Sequence, residues 1–325
     1  MRKKHLNYSL ALVLFLIGTI ACEKPPKPPT TNIQLKIIDT NISEGEKKRG
    51  IANIQKRLES VGAKNIIITE QKNQKVTFNY EGNIKPQTFE KAFSLTGKLE
   101  FFEVCKEREI LYEYLLKTYG GQVEDGLSAA SVEEIKSIDD VLGIKITGRY
   151  NDPFFALVPN ENVEKVTKIL LQKEPFFVSE IERKVKFLLG KNSYNGNYEL
   201  CAVYVTSENK APIDGSYVID ATVTESNYND SYLITIQKNE EGAKIWEQMT
   251  EHVHQTNGNI AVVVDDVVYS APSVMSGKIS GGRSEISSNL NRKEAAILAS
   301  AIRSGSIPEM EIIKIEFVQE TTSKK

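Results

Sequence analysis

A chain of 325 residues with 41 basic and 43 acidic side chains carries a formal net charge of -2, which argues against the basic stripe of a nucleic-acid binder. About 300 residues beyond a leader can bury a real core, and the length allows two domains. A charge or strong polar group interrupts every apolar run after residue 22, so no later stretch offers the roughly 20 apolar residues of a membrane span.

The first 21 residues have the form of an export signal, with Arg2, Lys3 and Lys4 before an apolar run from Leu10 to Ile17. Cys22 follows Gly18-Thr19-Ile20-Ala21. Small residues before a cysteine at this place resemble the bacterial lipobox, which makes Cys22 the expected lipid attachment. Thr19 and Ala21 also suit an ordinary signal peptidase, so simple secretion stands as the alternative. The proline-rich stretch PPKPPTT at 25–31 fits a semi-rigid spacer between a membrane and a folded body.

From residue 32 the pattern is regular. IQLKII (33–38) alternates as a strand, and Ser43 with Glu46 forms a capping box before a helix carrying Ile51, Ile54, Leu58 and Val61. NIIITE (65–70) and QKVTFNY (74–80) read as strands, Pro86 opens a helix, and LEFFEVC (99–105) reads as a fourth strand. This order suggests a ferredoxin-like sandwich over 32–105. Residues 106–195 are less regular, with helices expected at 107–118, 131–140 and 160–173, strands near 144–147 and 154–158, and loops at 119–121 and 190–196.

Beyond Tyr198 the signal sharpens. Strands are expected at 198–205, 215–223 and 231–237, followed by a helix that Asn239 begins and that carries Ala243, Trp246 and Met249. NIAVVVDD (259–266) and VVYSAP (267–272) make a hairpin turned by Asp265-Asp266. Asn291 with Glu294 caps a last helix, and MEIIKIEF (310–317) alternates as a closing strand able to join the first sheet.

Three blocks carry a specific resemblance. The run 262–308, with Ser270-Ala271-Pro272, Ile279-Ser280-Gly281-Gly282 and Arg303-Ser304-Gly305-Ser306-Ile307-Pro308, closely resembles the large periplasmic domain of SecD. IANIQKRLESVGAKN (51–65) with LTGKLEFFEV (95–104), and the stretch 198–250, are similar to further blocks of that family in the same order. Asp266 and Ser288 depart from it, standing where glycine is usual. The resemblance implies an α+β fold, a ferredoxin-like base subdomain with an inserted α+β head subdomain. It divides the chain into a signal peptide (1–21), an anchor and linker (22–31), a base (32–105), a divergent insertion (106–197), a head (198–308), and a closing base strand with a polar tail (309–325). The family's transmembrane bundle has no counterpart in the sequence, so the expectation is a stand-alone lipoprotein facing the periplasm or exterior.

Candidates for chemistry are few. His252 and His254 are spaced i and i+2 on an expected helix, which does not bring two metal ligands to one side. Gly281-Gly282 lacks the lysine of a phosphate loop, Ser270 has no base at motif spacing, and Trp246 sits at a core position. Cys105 and Cys201 are open to pairing or to separate burial. No cofactor, metal or catalytic residue is expected, and the chain is read as non-enzymatic. What the resemblance implies is binding of exported or translocating polypeptide, or of Sec translocon components, with Ser276, Gly277, Gly281, Gly282 and Arg283 as contact residues. A scaffold lipoprotein with an unrelated envelope partner is the alternative, since fold does not fix function. A hydrolase or metal enzyme hidden in 106–195 is the rival from another class.

Overall fold

The computed structural model describes residues 29–39, 42–82, 84–119, 137–147, 152–226 and 231–318. Cys22, the signal segment and most of the proline-rich linker lie outside them, as does much of the helix expected at 131–140. Strand β1 (Thr30–Ile37) turns Ile33, Leu35 and Ile37 inward, and helix α1 (Glu44–Ser60) covers them with Ile51, Ile54 and Leu58. The Ser43 hydroxyl accepts from Glu46 N (3.2 Å) and the Glu46 carboxylate accepts from Ser43 N (3.1 Å), so the expected capping box is formed. Strands β2 (Lys64–Glu70) and β3 (Lys75–Glu81) follow, with Val76, Phe78 and Tyr80 completing the core.

After helix α2 (Pro86–Ala92), strand β4 (Leu99–Glu103) departs from the expected plan. It leaves the first sheet and pairs in a second one with residues 260–264 and 213–214. Leu99, Glu100, Phe101 and Phe102 are all buried. Consecutive buried residues require cover on both faces, which a sheet with one solvated face cannot give. The place expected for it goes to the closing strand Met310–Val318, which lies antiparallel to β1 from Thr30↔Val318 to Ile37↔Met310. The first sheet therefore orders as closing strand, β1, β3, β2.

The middle of the chain comprises α3 (Arg108–Tyr119), α4 (Ile138–Leu142), β5 (Lys145–Ile146), β6 (Ala156–Pro159), α5 (Val163–Val166), β7 (Phe176–Val178), β8 (Arg183–Tyr194), β9 (Asn197–Val205) and β10 (Ile213–Asp214). The helix expected at 160–173 is present from Asn160 to Leu171, as a 3-10 turn at Asn160–Asn162, α5, and a π-helical stretch at Thr167–Leu171. The expected loop at 190–196 is mostly strand, since β8 runs to Tyr194 and turns through Asn195-Gly196 into β9. Cys105 and Cys201 are free and buried, and they belong to cores on opposite faces of the second sheet.

The third region holds β11 (Val218–Glu225), β12 (Tyr232–Lys238), α6 (Glu240–Gln255), the hairpin β13 (Ile260–Val264) and β14 (Val267–Ser270), β15 (Arg283–Leu290) and α7 (Arg292–Ser304), before the closing strand β16 (Met310–Val318). Asp265 and Asp266 turn the hairpin with φ of 53° and 60°, the left-handed pair of a type I′ turn. β13 and β14 extend the second sheet, whereas β11, β12 and β15 form a separate three-stranded sheet. Helix α7 packs on that small sheet through Ala295, Leu298, Ala299 and Ile302, and it also meets α1 of the first unit.

Candidate functional site

The inner face of the small sheet shares one core with α7 and with Trp246, Ile260 and Val262. Leu233 of β12 and alternate residues Arg283, Glu285, Ser287 and Asn289 of β15 line a cleft of about 800 Å³. Ser284 of β15, Trp246 of α6, Ile260 and Val262 of β13, and residues of the segment Pro272–Ser280 complete the lining. β15 is the last strand of its sheet, so the cleft offers both apolar surface and a strand edge.

The wall that carries the expected contact residues is held by specific bonds. Val274 O meets His254 Nδ1 at 2.9 Å, and Ile279 N donates to Thr250 Oγ1 at 2.9 Å. Lys278 pairs with Glu247 at 2.8 Å, and Asn259 Nδ2 donates to Ala271 O and Ser273 Oγ at 3.0 Å each. Gly281 and Gly282 then reverse the chain with φ of 81° and 72°. A side chain on Gly282 would come within 2.8 Å of Ala243 Cβ, so the tight turn read from the sequence has a steric reason. Of the five expected contacts, Arg283 lines the cleft and is held at 3.0 Å by Glu285. Ser276, Gly277 and Gly281 lie on the same segment outside the lining, and Gly282 is packed behind it.

One residue that pattern reading passed over sits directly behind the wall. Lys238 is 2% exposed, and its Nζ lies 4.3 Å from the Phe101 ring centroid and 4.1 Å from that of Trp246. It donates to Ser284 Oγ at 2.7 Å. Burial pulls its ammonium down to about 7, because low dielectric disfavours the charged form. Its place at the end of an alternating strand gave the only hint, since Lys238 falls on the inward parity of Ile234 and Ile236.

A second cluster joins the regions of the molecule. Arg57 of α1 is fully buried and donates to the carbonyls of Leu95 (2.5 Å), Thr96 (3.0 Å) and Gly305 (3.1 Å) and to Ser304 Oγ (3.0 Å). Burial lowers its guanidinium to about 10, against the favourable field of Asp265. The Asp265 carboxylate accepts from Thr96 N (2.8 Å), Lys98 N (2.9 Å) and the Thr96 hydroxyl. Read from sequence as turn residues, the two aspartates thus differ: Asp265 fastens the 96–98 linker, and Asp266 pairs with Lys186 at 2.6 Å. Among the described residues no group of His, Cys, Asp and Glu is arranged to hold a metal, and no helix is long and apolar enough to cross a membrane. His252 instead approaches Glu103 at 3.4 Å.

Residues 191–309, which contain the whole cleft, match the family model described as SecDF, P1 head subdomain. SecD of Calditerrivibrio nitroreducens is 38% identical over 99 residues, covering 30% of this chain and 18% of that protein. SecD of Rhodothermus marinus is 22% identical over 298 residues, covering 84% of this chain and 46% of that protein. This chain thus spans less than half the length of either relative. A solved structure of SecDF, described as a membrane component that enhances protein export, superposes with a TM-score of 0.50 at 15% identity, covering 88% of this chain and 99% of that one. In sequence and in its mixed α+β fold, the chain carries a SecD-like periplasmic domain, with the P1 head subdomain at residues 191–309.

Proposed function

We propose that this protein is a non-enzymatic envelope lipoprotein, anchored through Cys22, that holds extended polypeptide during protein export in concert with Sec translocon components. The observation that carries this reading is the cleft of the head region, apolar along one wall and bordered by the edge strand β15 along the other. Such an edge offers main-chain hydrogen bonds to an added strand, and apolar pockets offer side-chain grip. Both are sequence-tolerant, as a binder of many different exported chains requires. The similarity to SecD proteins and to a SecDF structure described as enhancing protein export supports the same reading.

The test is photocrosslinking in cells from Ser287 in the cleft and from Ser276 on the segment beside it, with exposed Ile67 on β2 as a distant control. Exported polypeptides are expected on the first two positions and not on the third. Equal yields at all three, or no exported chain or Sec component on any, would overturn the reading.

A further inference from the structure

The cleft wall holds two hydrogen-bond donors that the described residues leave short of acceptors. Trp246 lines the cleft at 5% exposure, and its buried Nε1–H has no partner among the described residues. Directly behind, the Lys238 ammonium has three protons to give and, among the described residues, one hydroxyl, Ser284 Oγ, to receive them. Ser284 also lines the cleft, and since its oxygen accepts from Lys238, its own proton is left for an acceptor outside.

Among the described residues, the groups packed around the ammonium are Phe101 of β4, Trp246 of α6 and Ser284 of β15, none of them anionic. The charged residues of the lining, Arg283 and Glu285, pair with each other, and Lys278 on the adjoining segment pairs with Glu247. A buried cation without a counter-charge is costly to keep, and the two aromatic faces offset only part of that cost. The missing complement is an anion with two acceptor oxygens.

We propose that the cleft recognises a carboxylate, an acidic side chain or a free C-terminus, borne on an otherwise apolar extended segment. The carboxylate accepts from the Ser284 hydroxyl, within the field of Lys238, and a small turn of the Trp246 ring brings its buried Nε1–H to the second oxygen. Leu233, Ile260, Val262, Val274 and Ile279 hold the flanking apolar residues. This rests on the polypeptide-holding reading and adds a chemical preference to it.

Trp246 is the sole tryptophan of the sequence, so its emission reports on occupancy. The full chain is titrated with an amidated apolar peptide carrying one central Asp, with its Asn and Lys counterparts, and with the Asn peptide as the free acid. The Asp peptide is expected to bind about tenfold tighter than the amidated Asn peptide, a difference of about 1.4 kcal/mol. An equal gain for the free-acid Asn peptide assigns the site to C-termini as well. Lys238→Met should bring the Asp peptide down to the level of the Asn peptide measured on the same variant. It should also abolish the weakening of Asp-peptide binding that wild type shows between pH 6 and pH 8.5, roughly where Lys238 loses its proton. Ser284→Ala, at the cleft surface, tests the same relay should the lysine variant not fold. Equal binding of all four peptides to wild type overturns the carboxylate preference and leaves the polypeptide reading standing. Absence of binding by any of them overturns both.

Discussion

Among single residues, Lys238 has the clearest thermodynamic signature. Its folded-state value of about 7 lies below the ordinary lysine value of 10.5, so between these two pH values the unfolded chain binds more protons than the folded one. Stability is therefore penalised below pH 7 and recovers as pH rises toward 10.5. Lys238→Met is expected to stabilise the protein by a few kcal/mol at pH 6 and to lose that advantage by pH 10.5, as urea midpoints at the two pH values would reveal. An advantage that does not change with pH would show that the lysine is not held as a buried cation. Arg57 is the opposite case, a buried cation whose donors are all used. Arg57→Met leaves the carbonyls of Leu95, Thr96 and Gly305 without this donor and is expected to cost about 3 kcal/mol or more, read as a fall in the denaturation midpoint.

At the scale of elements, the two adjacent glycines of the cleft wall separate backbone from packing. Both have positive φ, but a side chain on Gly281 meets nothing within 4 Å whereas one on Gly282 collides with Ala243. Gly281→Ala should cost about 1 kcal/mol, and Gly282→Ala about 1–3 kcal/mol more; equal losses in thermal unfolding would show that the wall yields freely. The capping box of α7, in which Asn291 accepts from Lys293 N and Glu294 N at 3.0 Å each, should lose about 1 kcal/mol in Asn291→Ala. Such local signals were legible in the sequence because they act over three or four residues: both capping boxes, the Asp-Asp hairpin and the closing strand could be read there. β8 was not. Its Gly190 looked like a loop, yet the residue packs against Glu199 of the neighbouring strand, a contact that periodicity does not encode. β4 was found as a strand but placed in the wrong sheet, because its unbroken burial reports how many faces are covered and not which neighbours cover them. The cleft was hidden for a related reason. Its lining comes from β12, α6, β13 and β15, and only Arg283 among the expected contact residues shares it.

At the largest scale, the described residues form three sheets tied by a few long-range fastenings. Arg57 connects α1 to the end of α7, and Asp265 connects the β13–β14 turn to the linker that precedes β4. The two buried thiols offer a probe of this larger order. Burial pushes Cys105 up to about 12 and raises Cys201 as well, and a protonated, enclosed thiol is unreactive. In a Cys22→Ser chain, alkylation of both should be negligible in the native state and should track global unfolding in urea. Rapid modification of Cys201 alone would reveal local opening of the second sheet.

The pairing of β1 with β16 sets an order of events for the newborn chain. Strand β1 is an interior member of its sheet, yet one of its two neighbours, β16, is synthesised only after every element from α1 to α7. Until β16 arrives, a row of backbone amides and carbonyls on β1 has no mate, and contacts of such sequence separation form slowly. An unpaired row of this kind is also a template for adhesion between copies. Shielding of that nascent edge, by solvent or by a chaperone, therefore governs the yield of folded protein, and a chain cut before residue 310 should clump where the full one stays dispersed.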